Sequence, residues 1–276
     1  MRSRASIVRL LVLLVIVLSP GVSHGAPKAD LWPRWAAHDA ASHERVDHDV
    51  WNRFLKDHVE ASEDGVNRVG YAAVEAPGKD ALRGYVDMLS GIAVSTLNRG
   101  EQMAYWINLY NALTVRVILD HYPVSSIRKI NISPGFFSSG PWGKKLVTVE
   151  GEKVSLDDIE HRILRPVWRD ARIHYAVNCA SIGCPNLLPR AFTADEMEAL
   201  LDKAARDYVN HPRGARIEDG KLYVSSIYEW FKADFGGTDQ GVIDHLRQYA
   251  APSLQGQLEG VTAIADDVYS WALNER

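Results

Sequence analysis

The chemistry that this sequence could support centres on its two cysteines, Cys179 and Cys184, which lie five positions apart. Cys179 follows residues 171–177, which are predicted to form a β-strand, and it precedes an Ala-Ser-Ile-Gly segment that is typical of a tight turn. If that turn opened a short helix, its free backbone N–H groups would favour a thiolate and could stabilise an oxyanion. Cys179 is therefore the candidate nucleophile.

The same two cysteines allow other interpretations. In an oxidising compartment, Cys179 and Cys184 would form a disulfide that stiffens one turn. Cys179 could instead be a small buried apolar side chain. A redox role ranks last, because the two cysteines are further apart than the two-residue gap of thioredoxin-like motifs allows.

A nucleophilic cysteine needs a base within hydrogen-bonding distance, and two histidines are candidates. His174 precedes Cys179 by five positions, which would place the two side chains on opposite faces of an extended strand. They would meet only if the chain bends near Asn178, which shares the face of His174 and could orient it. His161 lies on a predicted helix and could approach from elsewhere in the fold. Each histidine could equally be a structural residue.

Residues 98–121 are predicted to form the strongest helix of the chain, which ends where a Tyr-Pro dipeptide follows. Apolar side chains surround most of this helix, as is typical of a buried central element. Glu101, Asn108 and Asn111 are polar exceptions that share one face. They would form either a structural network or the polar floor of a pocket. In the pocket, Glu101 would orient a histidine and Asn111 would be an orienting or oxyanion-binding group.

A Gly/Pro/Ser-rich loop at residues 133–143 carries three aromatic side chains, Phe136, Phe137 and Trp142. Aromatic side chains on a loop favour contact with a peptide, a glycan or a partner protein. Phe137 and Trp142 are therefore binding candidates. This interpretation would be weakened if both side chains were fully buried.

Composition and motifs exclude several classes of protein. The net charge of −4 and the isoelectric point of about 6.2 argue against a nucleic-acid binder, which needs a basic surface. The sequence has no zinc-ligand spacing, no Gly-rich phosphate loop and no Gly-x-Ser-x-Gly motif. We therefore expect no metal and no cofactor.

The first 25 residues are predicted to be a secretory signal. Three arginines precede an apolar run at residues 10–18, and Ser23 and Gly25 are small residues suited to a cut after Gly25. An apolar run of this length is shorter than the roughly 20 residues of a membrane-spanning helix. We expect a periplasmic or secreted protein without a stable membrane anchor. The alternative is an uncleaved N-terminal anchor.

The remaining pattern predicts a single α+β domain over residues 47–276, preceded by an extended lead-in at residues 26–46. Ser155 and Asp158 have the spacing of a capping box at the start of a helix. Helices and hairpins alternate without the regular rhythm of a parallel α/β sheet. The further predicted helices are at residues 46–61, 80–89, 155–165, 193–210, 226–235 and 241–250, with hairpins at 145–154 and 215–224 and a late strand at 261–265.

Several separated motifs occur in an order that is shared with a known family. They are Ala-Tyr-Trp-Ile-Asn-Leu-Tyr-Asn at 104–111, Leu-Asp-Asp-Ile-Glu-His at 156–161, Ile-Leu-Arg at 163–165, His-Tyr-Ala-Val-Asn-Cys at 174–179, Cys184-Pro185, and Trp230-Phe231 with Asp234-Phe235. Over roughly residues 95–240 the chain resembles the uncharacterised family called domain of unknown function 547. Its members occur in bacteria and, fused to leucine-zipper segments, in plants. The resemblance implies no established activity.

The family pattern draws attention to a set of polar, aromatic and cysteine residues. They are Trp106, Asn108, Tyr110, Asn111, Glu160, His161, His174, Cys179 and Cys184. Trp106, Asn108 and Tyr110 are thereby binding candidates.

Two hypotheses follow. The first is an exported cysteine-dependent hydrolase or acyl transferase that acts on peptide or amide bonds, with Cys179 as nucleophile. The alternative is a non-catalytic extracytoplasmic binding module, in which Cys179 and Cys184 form a structural disulfide.

Overall fold

The structure is a computed structural model that describes residues 27–135 and 139–276. The predicted secretory signal at residues 1–25 lies outside the described residues. The predicted α+β class is confirmed, because helices dominate and the strands form small separate sheets.

Helices dominate the first part of the described chain. The elements here are α1 (Asp49–His58), β1 (Val59–Ala61), β2 (Asn67–Val69), α2 (Ala76–Ser90) and α3 (Arg99–His121). The lead-in before α1 is mostly irregular, but it contains a short 3-10 helix, Pro33–Ala36, that buries Trp35 in the core. Strands β1 and β2 pair as an antiparallel hairpin.

Helix α3 is the predicted long central helix. Its N-terminus is capped by Asn98, whose side-chain oxygen accepts a hydrogen bond of 3.0 Å from the backbone N–H of Glu101. Apolar residues on all sides of α3 are buried, and they form the centre of the larger of the two hydrophobic clusters that the described residues form. The strongest helical pattern of the sequence thus becomes the element against which the others pack.

The middle of the chain contains a hairpin followed by an unusual helix. Strands β3 (Val147–Val149) and β4 (Glu152–Val154) pair as predicted, around a turn in which Glu150 and Gly151 have positive φ. The predicted capping box is also present. The Asp158 N–H donates to Ser155 Oγ, and the Ser155 N–H donates to the Asp158 carboxylate. A π-helix follows at Asp158–Leu164, and it continues into α4 (Arg165–Trp168).

Residues 171–177 are not the predicted strand. Ile173–Ala176 form a short helix, α5, which is held by successive turns that begin at Asp170. The Asp170 carboxylate also accepts the Arg172 backbone N–H at 2.8 Å. A short apolar run fits either a buried strand or a buried helix by pattern alone, and the turn at Asp170 favours the helix here.

The last part of the chain adds helices and a small mixed sheet around the second hydrophobic cluster. Its elements are α6 (Met197–Val209), β5 (Ala215–Glu218), β6 (Lys221–Ser225), α7 (Ser226–Trp230), α8 (Asp239–Tyr249), α9 (Pro252–Gln257) and β7 (Ile264–Val268). Strand β6 pairs antiparallel with β5 and parallel with β7. Helix α9 has no counterpart in the sequence prediction, and β7 begins three positions later than predicted. Within the described ranges, no helix has the length and apolar character of a membrane crossing.

Candidate functional site

A cavity of about 720 Å³ brings together several of the residues that the sequence singles out. Both cysteines line it, as do His161 and His174. One part of its wall is aromatic, formed by Trp142, Trp230, Phe231, Tyr269 and Trp271. The site therefore combines thiols, imidazoles and apolar surface in one place, as substrate pockets do.

Both thiols are unbonded, so the predicted disulfide between Cys179 and Cys184 is not present in this structure. Hydrogen bonds hold the sulfur atoms instead. The Cys179 backbone N–H donates to Cys184 Sγ at 3.0 Å. The Tyr269 hydroxyl lies 3.0 Å from Cys179 Sγ and 3.2 Å from Cys184 Sγ. Ser181 Oγ lies 3.2 Å from Cys179 Sγ and 2.9 Å from the Tyr269 hydroxyl.

These hydrogen bonds give the two thiols different pKa values. Burial opposes ionisation of Cys184, but hydrogen bonds from Cys179, Tyr269 and Ser181 outweigh it and lower the pKa of Cys184 to about 7. Burial raises the pKa of Cys179 well above its usual value, and the neighbouring Cys184 raises it further. The pair therefore loses its first proton near neutral pH and retains the second.

Contacts from distant parts of the chain fix the loop at residues 178–185, which carries both cysteines and is called the cysteine loop below. The Gly183 N–H donates to the Ser270 carbonyl at 2.8 Å, and a Cβ atom at Gly183 would lie 2.9 Å from Ser270 backbone atoms. Asn111 Oδ1 accepts the Asn178 N–H at 2.8 Å, and Asn178 Nδ2 donates to the Pro185 carbonyl at 2.8 Å. Asn111 and Asn178 therefore use their side chains to hold the loop in position.

His174, on α5, forms a pair with a carboxylate that sequence analysis had not assigned a role. His174 Nε2 lies 2.7 Å from Asp234 Oδ2, and Arg165 Nε donates to the same oxygen at 2.6 Å. Burial lowers the pKa of His174, so the imidazole is neutral at pH 7 and its Nε2–H donates to Asp234. The lone pair is then on Nδ1, which is 3.8 Å from Glu160 Oε1. His174 is thus an oriented base.

The π-helix places Glu160 and His161 at the cavity. Tyr110 donates a hydrogen bond of 3.0 Å to Glu160 Oε2, and burial raises the pKa of this carboxyl. Burial raises the pKa of Tyr110, and negative charge on Glu160, Cys179 and Cys184 raises it further. Tyr110 is therefore within electrostatic reach of both the carboxyl and the thiols. A π-helix at such a position is common in functional sites.

His161 differs from His174 in its free nitrogen. Arg165 Nη1 lies 3.1 Å from His161 Nδ1, and a guanidinium can only donate, so Nδ1 is the acceptor. Burial lowers the pKa of His161 to about 4, and the neutral ring must carry its proton on Nε2. In this tautomer His161 presents an N–H donor to the cavity, and its role as a base stays a prediction.

Several predicted site residues lie elsewhere. Glu101 pairs with Arg45 at 2.7 Å and accepts the Val46 N–H, so it does not orient a histidine. Asn108 exchanges two hydrogen bonds with the backbone of Phe192. On the face of α3 that they share, Glu101 and Asn108 therefore belong to a structural hydrogen-bond network. Trp106 is buried and packs edge-on against other aromatic rings.

Of the two aromatic loop residues predicted to bind a ligand, Phe137 and Trp142, the structure describes Trp142. Trp142 is half-buried and lines the cavity, 5.7 Å from the ring of Trp271. Phe137 lies outside the described residues. In the described part of the chain, neither thiol is hydrogen-bonded to a histidine, and no group of three or more His, Cys, Asp or Glu side chains could hold a metal ion.

Sequence analysis missed Asp234, Tyr269 and Trp271 as site residues. Asp234 lies in one of the motifs shared with the family, which was the available signal. Tyr269 and Trp271 lie beyond those motifs, and no local pattern distinguishes them from core aromatic residues.

Comparison with known proteins supports the family resemblance. Residues 94–209 match the model of a family described as "Protein of unknown function, DUF547". This range includes α3, the π-helix and the cysteine loop. No curated protein and no solved structure matches the chain.

Proposed function

We propose that the protein is a cysteine-dependent hydrolase or acyl transferase that acts on amide-type bonds, with Cys179 as the nucleophile. One observation carries the proposal: a single cavity is lined by the thiol pair and by His174, which Asp234 orients at 2.7 Å. A nucleophile, a proton acceptor and an oriented base are what acyl transfer requires.

The contacts suggest how protons would move. Cys179 is the more exposed of the two thiols, so its sulfur attacks the substrate carbonyl carbon. The thiol proton passes to the Cys184 thiolate, whose pKa of about 7 suits a proton acceptor. The tetrahedral intermediate then collapses, and the C–N bond breaks as Cys184 returns the proton to the leaving amine. A thioester on Cys179 remains.

The second half of the reaction needs a different base. His174 Nδ1 removes a proton from water, or from another acceptor, as that oxygen attacks the thioester carbon. The protonated imidazole is stabilised by Asp234, and it returns the proton to the departing Cys179 sulfur. Asn111 and Asn178 act as positioning residues, because their amides hold the cysteine loop.

An activated ester tests these roles. With p-nitrophenyl acetate, the wild type should release a burst of p-nitrophenol and form an acetyl-enzyme that intact mass spectrometry detects. His174→Gln should accumulate the acetyl-enzyme, Cys184→Ser should slow its formation, and Cys179→Ala should abolish it. A burst that survives in Cys179→Ala would reject the proposal. So would a Cys179–Cys184 disulfide in the purified protein that mild reductant does not open.

We also propose that the protein is exported and that residues 1–25 are removed. The support is the order of basic, apolar and small residues at the N-terminus. N-terminal sequencing of protein recovered from the periplasm or medium should begin at Ala26. An intact N-terminus on cytoplasmic protein would contradict this.

The alternative function is a binding module for a peptide, a glycan or a partner protein. The aromatic wall of the cavity favours it, because Trp230 and Trp271 stack with ring centroids 5.6 Å apart. The two functions differ in one measurement. A binding module would show the same ligand affinity in Cys179→Ala as in the wild type, and no acetyl-enzyme in either protein.

A further inference from the structure

One part of the cavity pairs a hydrogen-bond donor with an acceptor, and no residue that the structure describes satisfies either of them. His161 Nε2 lies 3.8 Å from Asp157 Oδ1, which is too long for a hydrogen bond. The His161 side chain is only 8% exposed, and Asp157 is 41% exposed. Both residues line the cavity.

The chemical identity of each group is fixed. Because Arg165 donates to His161 Nδ1, the proton of the neutral ring is on Nε2, and this N–H has no acceptor within residues 27–135 and 139–276. Among the described residues, the Asp157 carboxylate accepts no hydrogen bond. The cavity thus presents one donor and one acceptor side by side.

A ligand that satisfies both must present an acceptor and a donor along one edge. A primary carboxamide does so, because its C=O and one N–H point in nearly the same direction. The edge of a trans secondary amide does not, because its N–H points away from the C=O. A carboxylate offers two acceptors and would meet the Asp157 carboxylate with like charge.

We propose that His161 and Asp157 form a subsite for a primary carboxamide, in which the His161 Nε2–H donates to the amide oxygen and Asp157 accepts an amide N–H. The subsite rests on the proposed function because the two share one cavity, and it names the substrate class of that function. The class is amides with a free –CONH₂ group.

The surroundings of the subsite suit such a ligand. The Phe231 ring lies 5.9 Å from the ring of His161, with the Arg165 guanidinium 4.8 Å from the Phe231 centroid. Phe231 also lines the cavity, and the part of its ring that faces the cavity would contact the carbon chain that carries the amide. The His161 side chain is buried, so leaving its N–H without an acceptor is costly and a ligand acceptor there is favoured.

Binding to the full chain that carries Cys179→Ser tests the subsite without any reaction. Isothermal calorimetry would compare N-acetyl-phenylalanine amide with its N-methyl amide and its free acid. A second set, N-acetyl-glutamine N-methylamide against the glutamate analogue, would distinguish a side-chain carboxamide from an amidated C-terminus. In at least one set, the primary amide should bind about tenfold more tightly, as expected for one lost buried hydrogen bond.

Asp157→Asn provides the decisive variant. In the described part of the chain this substitution removes no side-chain hydrogen bond, so the fold should be retained, and it replaces an acceptor by a side chain that can donate. Preference should then shift at least tenfold toward the carboxylate analogue. Asp195→Asn is the matched control, because Asp195 is exposed and pairs with Arg45, so preference should not change.

Two results would overturn the subsite. One is that no primary amide is preferred in either set, including the case in which no probe binds. The other is that Asp157→Asn leaves the preference unchanged. Neither result depends on Cys179, so failure of the subsite and failure of the thiol mechanism are distinguishable.

Discussion

Replacement of Asp234 by alanine should destabilise the protein strongly. The Asp234 carboxylate accepts hydrogen bonds from Arg165 at 2.6 Å and from His174 at 2.7 Å. The Arg165 side chain is 5% exposed, so the variant would leave a buried guanidinium without its carboxylate. Within residues 27–135 and 139–276, Arg165 would keep its hydrogen bonds to the Pro27 carbonyl and to His161 and its contact with the Phe231 ring, but it would have lost its ion pair.

The expected loss can be estimated from these contacts. Removing one partner of a buried ion pair costs about 3–5 kcal/mol in the free energy of unfolding. Asp234 is 23% exposed, so water would replace part of the carboxylate, and we expect a loss of about 3 kcal/mol. Urea denaturation at pH 7 measures it. Asp195→Ala is the control, because its ion pair is exposed and should cost less than about 1 kcal/mol.

The loss should depend on pH in a defined direction. Burial alone would raise the pKa of Asp234, but hydrogen bonds from His174 and Arg165 outweigh it and hold this pKa well below its usual value. A depressed pKa contributes stability above the unfolded-state pKa of about 3.9, and that stability is lost as pH falls further. The difference between wild type and Asp234→Ala should therefore be smaller at pH 3 than at pH 7. A loss below about 1 kcal/mol at pH 7, or one independent of pH, would refute this reasoning.

Three further predictions concern other parts of the molecule. The rate at which iodoacetamide alkylates Cys179 and Cys184, followed by peptide mass spectrometry, should increase around pH 7. Cys184→Ser should move this increase to higher pH. An unchanged pH profile in the variant would show that the two thiols are not coupled. Gly214→Ala should lower the melting temperature, because its Cβ would lie 1.9 Å from a backbone oxygen of α6. Gly84→Ala should stabilise α2 by about 1 kcal/mol, because nothing lies within 4 Å of the added Cβ. Equal shifts in melting temperature for the two variants would contradict both expectations. Burial lowers the pKa of His48 to about 4, below the unfolded value of about 6.5. The free energy of unfolding of the wild type should therefore fall from pH 7 to pH 4, with up to about 3 kcal/mol of the fall due to this residue. In urea denaturation, His48→Gln should show a shallower fall.

Elements that depend on local interactions were predictable from the sequence. Helix α3 was predicted at residues 98–121, and Asn98 caps it in the structure. The hairpin predicted at 215–224 is formed by β5 and β6, and its turn residues Asp219 and Gly220 both have positive φ. Residues 171–177 were misassigned because a short apolar run does not distinguish a strand from a helix. The π-helix was missed because its capping box also fits an ordinary α-helix.

The site was less predictable, because its decisive contacts join distant parts of the chain. Asp234 meets His174 from 60 positions away, and Tyr269 meets Cys179 from 90 positions away. The role of His161 depends on which nitrogen faces Arg165, and residue type alone does not determine this. Sequence analysis could name the two thiols and His174, but not their partners.

The position of Tyr269 has a consequence for biogenesis. Synthesis proceeds from the N-terminus, so both cysteines are made before the Tyr269 hydroxyl that contacts them and before Ser270, which holds Gly183. In nascent chains the two sulfur atoms are therefore unprotected and lack the groups that distinguish them. The arrangement that gives the two thiols different pKa values therefore forms only after residues 269 and 270 have been made.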